Sequence, residues 1–273
     1  MTSNSNKTDK TSKTNMTSQP QTTRRALITG AGGEGIGRAA AIALAQAGTA
    51  VAIHAHRSIQ RAQTLADELT GAGHQAAVVT GNMRDVNDIA SIATQAKAAL
   101  GGVDIVVHCA GAWIREPLSS LNLAVLDELY ETDVRGPVAL SQHFAESMRA
   151  QGFGRIIHIS SVAADRYIEG EGGYGAAKSA INAITRAWAC ELGPFGVTAN
   201  AIAPAWTLPN HDAFPPSPAD YPQCADVPNR RPGHARDVAA LIAFLASDAA
   251  AHLNGQIIHL DGGVSALSAN PGS

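Results

Sequence analysis

The chain has 273 residues, 45% of them hydrophobic, enough to bury the core of one large α/β domain. With 20 basic against 23 acidic residues the net charge is -3, which leaves no positive field to hold a nucleic acid or an anionic membrane surface. No apolar run reaches the length of a bilayer span, and Cys109, Cys190 and Cys224 are odd in number, far apart and without metal-ligand spacing, which fits free thiols in a reducing cytoplasm and no bound metal.

Residues 1–23 are Ser, Thr, Asn, Lys and Gln with almost nothing apolar, so they are expected to be a disordered tail without the apolar stretch of a secretory signal. From Arg25 onward, short apolar runs alternate with segments of helical period, the pattern of a parallel sheet wrapped by helices. Strands are expected at 26–29, 50–54, 75–80, 103–109, 155–160, 197–202 and 256–260, and helices at 37–47, 59–70, 86–100, 123–151, 174–193 and 235–247. Residues 24–265 therefore read as one doubly wound Rossmann-type α/β domain with a seven-stranded parallel sheet, followed by a C-terminal tail at 266–273. One stretch breaks the rhythm: 204–232 holds eight of the 13 prolines and follows the carboxyl end of a strand, where such sheets place ligands. It reads as a lid over a substrate.

After the first strand comes Thr29-Gly30-Ala31-Gly32-Gly33-Glu34-Gly35-Ile36-Gly37, and then a helix. Glycines there let bare N–H groups and the positive end of a helix dipole approach a pyrophosphate, although a glycine-rich turn alone is also simple strand-to-helix punctuation. Cofactor choice is read at the end of the second strand. Ala55 offers no carboxylate to a ribose 2′-hydroxyl, whereas His56, Arg57 and Ser58 suit a 2′-phosphate; Glu34 argues the other way, and the balance favours NADP(H) over NAD(H).

Ser160 and Ser161 close the fifth strand, and Tyr174-Gly175-Ala176-Ala177-Lys178 follows. The i, i+4 spacing puts phenol and ammonium on one helix face, where the cation is expected to draw the tyrosine pKa down toward the working range and make Tyr174 an acid/base.

At this point the chain resembles the classical short-chain dehydrogenase/reductase family, with 3-oxoacyl-reductase-like members in view, over residues 25–264. The glycine turn, the Tyr174/Lys178 pair with Ser161, and the closing motifs Asp237-Val238-Ala239, Asn254-Gly255-Gln256 and Leu260-Asp261-Gly262-Gly263 carry the resemblance. It implies a carbonyl/alcohol oxidoreductase in which Tyr174 protonates the carbonyl oxygen, Ser161 hydrogen-bonds it and Lys178 also holds the nicotinamide ribose. It further implies dinucleotide contacts at Gly30, Gly33, Gly35, Ile36, Gly37, His56, Arg57, Ser58, Asn82, Met83, Ala110, Gly111, Tyr174, Lys178, Pro204 and Thr207, and a homotetramer or dimer built on the 123–151 and 174–193 helices.

Four departures stand out. The glycine turn is one residue longer than the family pattern; His108-Cys109-Ala110-Gly111 replaces Asn-Asn-Ala-Gly; Pro204-Ala205 replaces Pro-Gly; and Asp133 stands where the family has the asparagine of its proton relay. A carboxylate beside Lys178 is expected to raise the Tyr174 pKa. Trp113, Arg115, Tyr167 and Trp206 are candidates for the substrate pocket. Two other readings compete: a catalytically weak NADP(H)-binding sensor or scaffold, motivated by Asp133 and His108, and a methyltransferase on a similar sheet, disfavoured because Tyr174 and Lys178 would have no task.

Overall fold

A computed structural model describes residues 23–209, 224–225 and 227–267. The expected tail, most of the expected lid (210–223 and 226) and residues 268–273 lie outside them.

The apolar runs become strands β1 (Arg25–Thr29), β2 (Ala50–Ala55), β3 (Ala76–Thr80), β4 (Ile105–His108), β5 (Gly154–Ile159) and β6 (Val197–Pro204). The chain adds a two-residue pair, β7 (Thr207–Leu208) with β8 (Gly233–His234), before β9 (Ile257–Leu260). The main sheet is parallel throughout, with seven strands in the order β3-β2-β1-β4-β5-β6-β9. Between the strands lie α1 (Ile36–Gln46), α2 (Ile59–Gly71), α3 (Val86–Leu100), α4 (Leu123–Tyr130), α5 (Gly136–Gln151), α6 (Gly172–Leu192) and α7 (Ala235–Ala246).

Period-2 alternation along the strands feeds two apolar layers. Ala26 and Ile28 of β1 point to one face and pack with Leu44 of α1, Leu65 of α2 and Ile242 of α7. Leu27 points to the other, with Ile92 of α3, Phe144 and Met148 of α5 and Leu192 of α6. Because both faces are covered, the strands read in sequence as continuous apolar runs rather than as alternation. Each fully buried Leu, Ile or Phe in these layers contributes about 1.5–3 kcal/mol. Asp85 caps α3 by accepting from the N–H groups of Asn87 and Asp88, and His234 with Asp237 forms a capping box on α7.

The long helix expected at 123–151 is interrupted. Residues Glu131–Arg135 form a π-helical turn between α4 and α5. Pro137, at the start of α5, has no N–H to give to the Asp133 carbonyl, so the regular i→i−4 ladder is broken at this point and the wider turn is accommodated. Asp133 sits in the middle of that turn. The strand order reverses between β1 and β4, and the crevice beyond their carboxyl ends is where a doubly wound sheet binds its ligand.

Candidate active site

The glycine turn leaves β1 and is tied at once to β2. Gly30 N–H donates to His54 Nδ1 at 3.2 Å, and Ala31 and Gly32 N–H donate to the His54 carbonyl at 3.0 and 3.3 Å. Gly35 is the N-cap of α1 and no side chain caps the helix, so its first N–H groups face outward. A Cβ at Gly37 would lie 2.8 Å from the Gly30 carbonyl oxygen, so only glycine lets the helix start this close to the turn. Above Gly35 there is nothing within 4 Å, and above Gly33 only the Gly30 oxygen at 3.7 Å. Open room beside bare N–H groups at a helix N-terminus fits a pyrophosphate.

The opposite wall is the turn after β4. Thr29 Oγ1 accepts from both Cys109 N–H and Ala110 N–H at 3.0 Å, so a threonine hydroxyl braces this turn. His108 faces inward: its Nε2 is 2.8 Å from Ser141 Oγ and its ring stacks on His158 at 5.0 Å between centroids. Burial holds both imidazoles neutral, His158 at about 3 and His108 well below the usual histidine value.

At the end of β2, His56 and Arg57 are exposed. Ser58, at the N-cap of α2, accepts from Arg61 Nη2 at 3.0 Å, and Arg61 also lies 3.7 Å from Glu34. The cation nearest the extra carboxylate of the glycine turn is thus Arg61, which the sequence reading did not single out. Asn82 uses its side-chain oxygen to accept from Arg84 N–H at 3.1 Å, and Met83 is buried beside it.

Ser161 follows β5, and its Oγ accepts from Ala163 N–H at 3.1 Å in a short 3₁₀ turn. Gly175 lets α6 press against that turn, since a Cβ there would collide with the Ala163 carbonyl. Tyr174 is the third residue of α6 and Lys178 lies one turn on, with Nζ 5.4 Å from the Tyr174 ring centroid. Lys178 Nζ is buried and donates to Ile159 O at 3.0 Å and to Asp133 Oδ1 at 3.2 Å. The Asp133 side chain is 0% exposed and its second oxygen has no protein partner.

The electrostatics correct one expectation. Tyr174 is not drawn down but held above 10. Burial is the largest influence; Lys178 and a hydrogen bond with Ser161 pull it down, while Asp133 and Glu171 push it up. Burial also raises the Asp133 carboxyl against the pull of Lys178. Burial lowers the Lys178 pKa, but Asp133 and Tyr174 outweigh it and the net shift is upward. The raising effect expected of Asp133 on Tyr174 is present.

Glu171, one turn before Tyr174, is a further group the sequence reading missed. Its buried carboxylate accepts from Trp113 Nε1 at 3.1 Å and lies 3.7 Å from Arg115, tying the loop after β4 to the start of α6. Trp113 and Tyr167 are otherwise largely exposed, at 64% and 82%. Trp206 lines a pocket of about 210 Å³ beside the serine turn, with Val162, Ile168, Val227, Arg231 and Val264. Pro204 is buried at the end of β6 and Thr207 is half-buried in β7. Among the described residues no cluster of His, Cys, Asp or Glu could hold a metal ion, and no helix is long and apolar enough to cross a membrane.

A crevice at the reversal of strand order, a tyrosine and lysine on one helix face and a serine at the neighbouring strand end are what the site of an α/β oxidoreductase would need. The comparisons with known proteins bear on that class. The profile described as Enoyl-(Acyl carrier protein) reductase matches residues 30–265. The chain is 30% identical over 242 residues to a 3-oxoacyl-[acyl-carrier-protein] reductase of Staphylococcus aureus, covering 89% of this chain and 98% of the relative. It is 34% identical over 245 residues to a cis-4-hydroxycyclohexanecarboxylate dehydrogenase of Sinomonas cyclohexanicum, covering 89% and 97%. A crystal structure of a gluconate 5-dehydrogenase from Burkholderia cenocepacia, in complex with NADP and tartrate, superposes with a TM-score of 0.81 at 30% identity, covering 90% and 96%. The chain belongs to the classical short-chain dehydrogenase/reductase family. It is accordingly an oxidoreductase of the carbonyl/alcohol type.

Proposed function

We propose that the protein interconverts a carbonyl and a secondary alcohol with NADP(H) preferred to NAD(H), and that Tyr174 is its acid and base. The observation that carries this reading is the pinned ammonium: Lys178 Nζ, fixed by Ile159 O and Asp133, faces the ring of the half-buried Tyr174 phenol. In reduction, Ser161 donates to the substrate oxygen while Tyr174 gives up its proton to it, and Lys178 stabilises the phenolate left behind. In oxidation the phenolate takes the hydroxyl proton. The nicotinamide, when bound, supplies or accepts the hydride.

The first N–H groups of α1, at Gly35, Ile36 and Gly37, with Gly30 and Gly33 in the turn, are assigned to the pyrophosphate, and Asn82, Met83, Ala110, Gly111, Pro204 and Thr207 to the rest of the dinucleotide. His56, Arg57 and Ser58, now joined by Arg61, are assigned to the 2′-phosphate; Arg61 also neutralises Glu34, which removes the main objection to that phosphate. The gluconate 5-dehydrogenase named above contains NADP, which supports the choice. The substrate is a small molecule, taken from the side of the pocket beside Trp206. Leu118, Leu123 and Tyr130 are exposed near a groove on α4 and α6, and these helices are assigned to a homo-oligomer interface. Three free thiols support a cytoplasmic location.

The test is Tyr174→Phe, measured by nucleotide fluorescence titration and by a ketone panel. Dinucleotide binding persists and turnover falls by about 10³-fold; full activity in the variant removes the assignment. A second reading, a binding protein with weak catalysis, draws on the buried Asp133 carboxylate, which offsets the lysine charge and adds to the larger effect of burial in raising the Tyr174 pKa. Tight NADPH binding without turnover at any pH across the panel would decide for it.

A further inference from the structure

His54 is the penultimate residue of the buried strand β2 and is only 1% exposed, yet both of its ring nitrogens are spoken for. Nδ1 accepts from Gly30 N–H at 3.2 Å, and Nε2 lies 2.9 Å from the Gly81 carbonyl oxygen. A carbonyl only accepts, so Nε2 carries the hydrogen, Nδ1 does not, and the imidazole is neutral. Burial acts in the same direction by lowering its pKa. The ring therefore spans two turns that are far apart in sequence. One is the glycine turn; the other leaves β3 at Gly81 and leads to Asn82 and Met83. The residue's own carbonyl takes two more N–H groups of the glycine turn, from Ala31 and Gly32.

We propose that His54 is a positioning residue of the dinucleotide site, a neutral strut that sets the spacing between the pyrophosphate turn and the turn on the adenosine side. The proposal rests on the reading of this crevice as a nicotinamide dinucleotide site. The need for such a strut follows from the added length of the glycine turn. A longer turn has more conformations to lose on ordering, and the part-buried Gly30 N–H would lose its partner if the ring were gone.

Three substitutions separate the two arms of the bridge. His54→Asn keeps an oxygen where Nδ1 was, so it retains the arm to Gly30. His54→Gln places its amide nitrogen near the old Nε2 and retains only the arm to Gly81. His54→Leu removes both. NADPH and NADH are titrated by fluorescence, steady-state rates are measured against dinucleotide concentration, and unfolding midpoints are recorded without nucleotide. With whichever dinucleotide the wild type binds better, His54→Leu raises Kd by at least ~10-fold, His54→Gln by a similar factor, and His54→Asn by no more than ~3-fold. The dinucleotide KM rises with Kd while kcat at saturation changes much less. The proposal is overturned if His54→Gln or His54→Leu binds as tightly as the wild type, if His54→Asn is as weak as His54→Leu, or if kcat falls as far as kcat/KM. Should His54→Leu not fold, the contrast between the two amide variants decides by the same criteria. A wild type that binds neither nucleotide sinks the proposed function itself, an outcome distinct from a tightly binding wild type with indifferent variants.

Discussion

Replacing Asp133 with asparagine removes a buried negative charge while leaving an oxygen to accept from Lys178. The carboxylate lies 3.2 Å from Lys178 Nζ, and that nitrogen stands 5.4 Å from the Tyr174 ring centroid, so end to end the charge is at most about 8.6 Å from the ring. At an effective dielectric constant of about 20 it disfavours the phenolate by about 2 kcal/mol. With Tyr174 as the acid and base proposed above, the phenolate would be the base in alcohol oxidation, and the rate would climb with pH through the Tyr174 pKa. Asp133→Asn moves that climb toward acid and speeds oxidation on the order of 20-fold at pH values below both midpoints. In ketone reduction the neutral phenol is the acid, and the variant loses rate at a lower pH than the natural protein. Initial rates of nicotinamide absorbance change, in both directions and from neutral to alkaline pH, read the shift. Rates and profiles identical to the natural protein, or a shift toward alkali, refute the reasoning.

Arg61→Ala exposes Glu34 to the 2′ position and removes a cation, so NADPH affinity falls by about 10-fold while NADH affinity holds, as paired titrations would show. Gly37→Ala drives a methyl group against the Gly30 carbonyl oxygen 2.8 Å away; the variant loses dinucleotide affinity in the same titration. Asp104, buried beneath β1, accepts from Arg25 Nη2 at 2.6 Å and Nε at 2.9 Å. Burial pushes this carboxyl up, but Arg25, helped by Gln151, outweighs it and holds the pKa below the usual range. The stability it contributes is fully present above the unfolded carboxylate pKa of about 3.9 and is lost as pH falls through the lower folded value. Asp104→Asn lowers stability at neutral pH by about 2 kcal/mol, roughly 5 °C in Tm, and flattens the acid limb of the stability profile.

The sheet was legible because strands buried on both faces appear as unbroken apolar runs, and each expected strand lies within two residues of the observed bounds. The phenol and ammonium were legible because helical period is local. The π-helical turn at 131–135 was not read: Pro137, its one local signal, is also an ordinary helix-start residue. Arg61, His54 and Glu171 escaped notice because their partners lie across 27, 24 and 58 residues of sequence. The sign of the Tyr174 shift was missed for a related reason. A lysine one turn away can be read from spacing, but the burial that outweighs it is a property of the packed layers.

The wide turn at Glu131–Arg135 holds one residue more than ordinary winding requires. Excising one residue there would restore the regular screw and leave α4 and α5 facing nearly as they do now, because the wider turn takes up its surplus residue with little added rotation. The change would fall on the turn itself, and so on Asp133 and its contact with Lys178. A single surplus residue thus bears on the charge facing the Lys178 ammonium while the outer surface of α4 stays where ordinary winding would have put it.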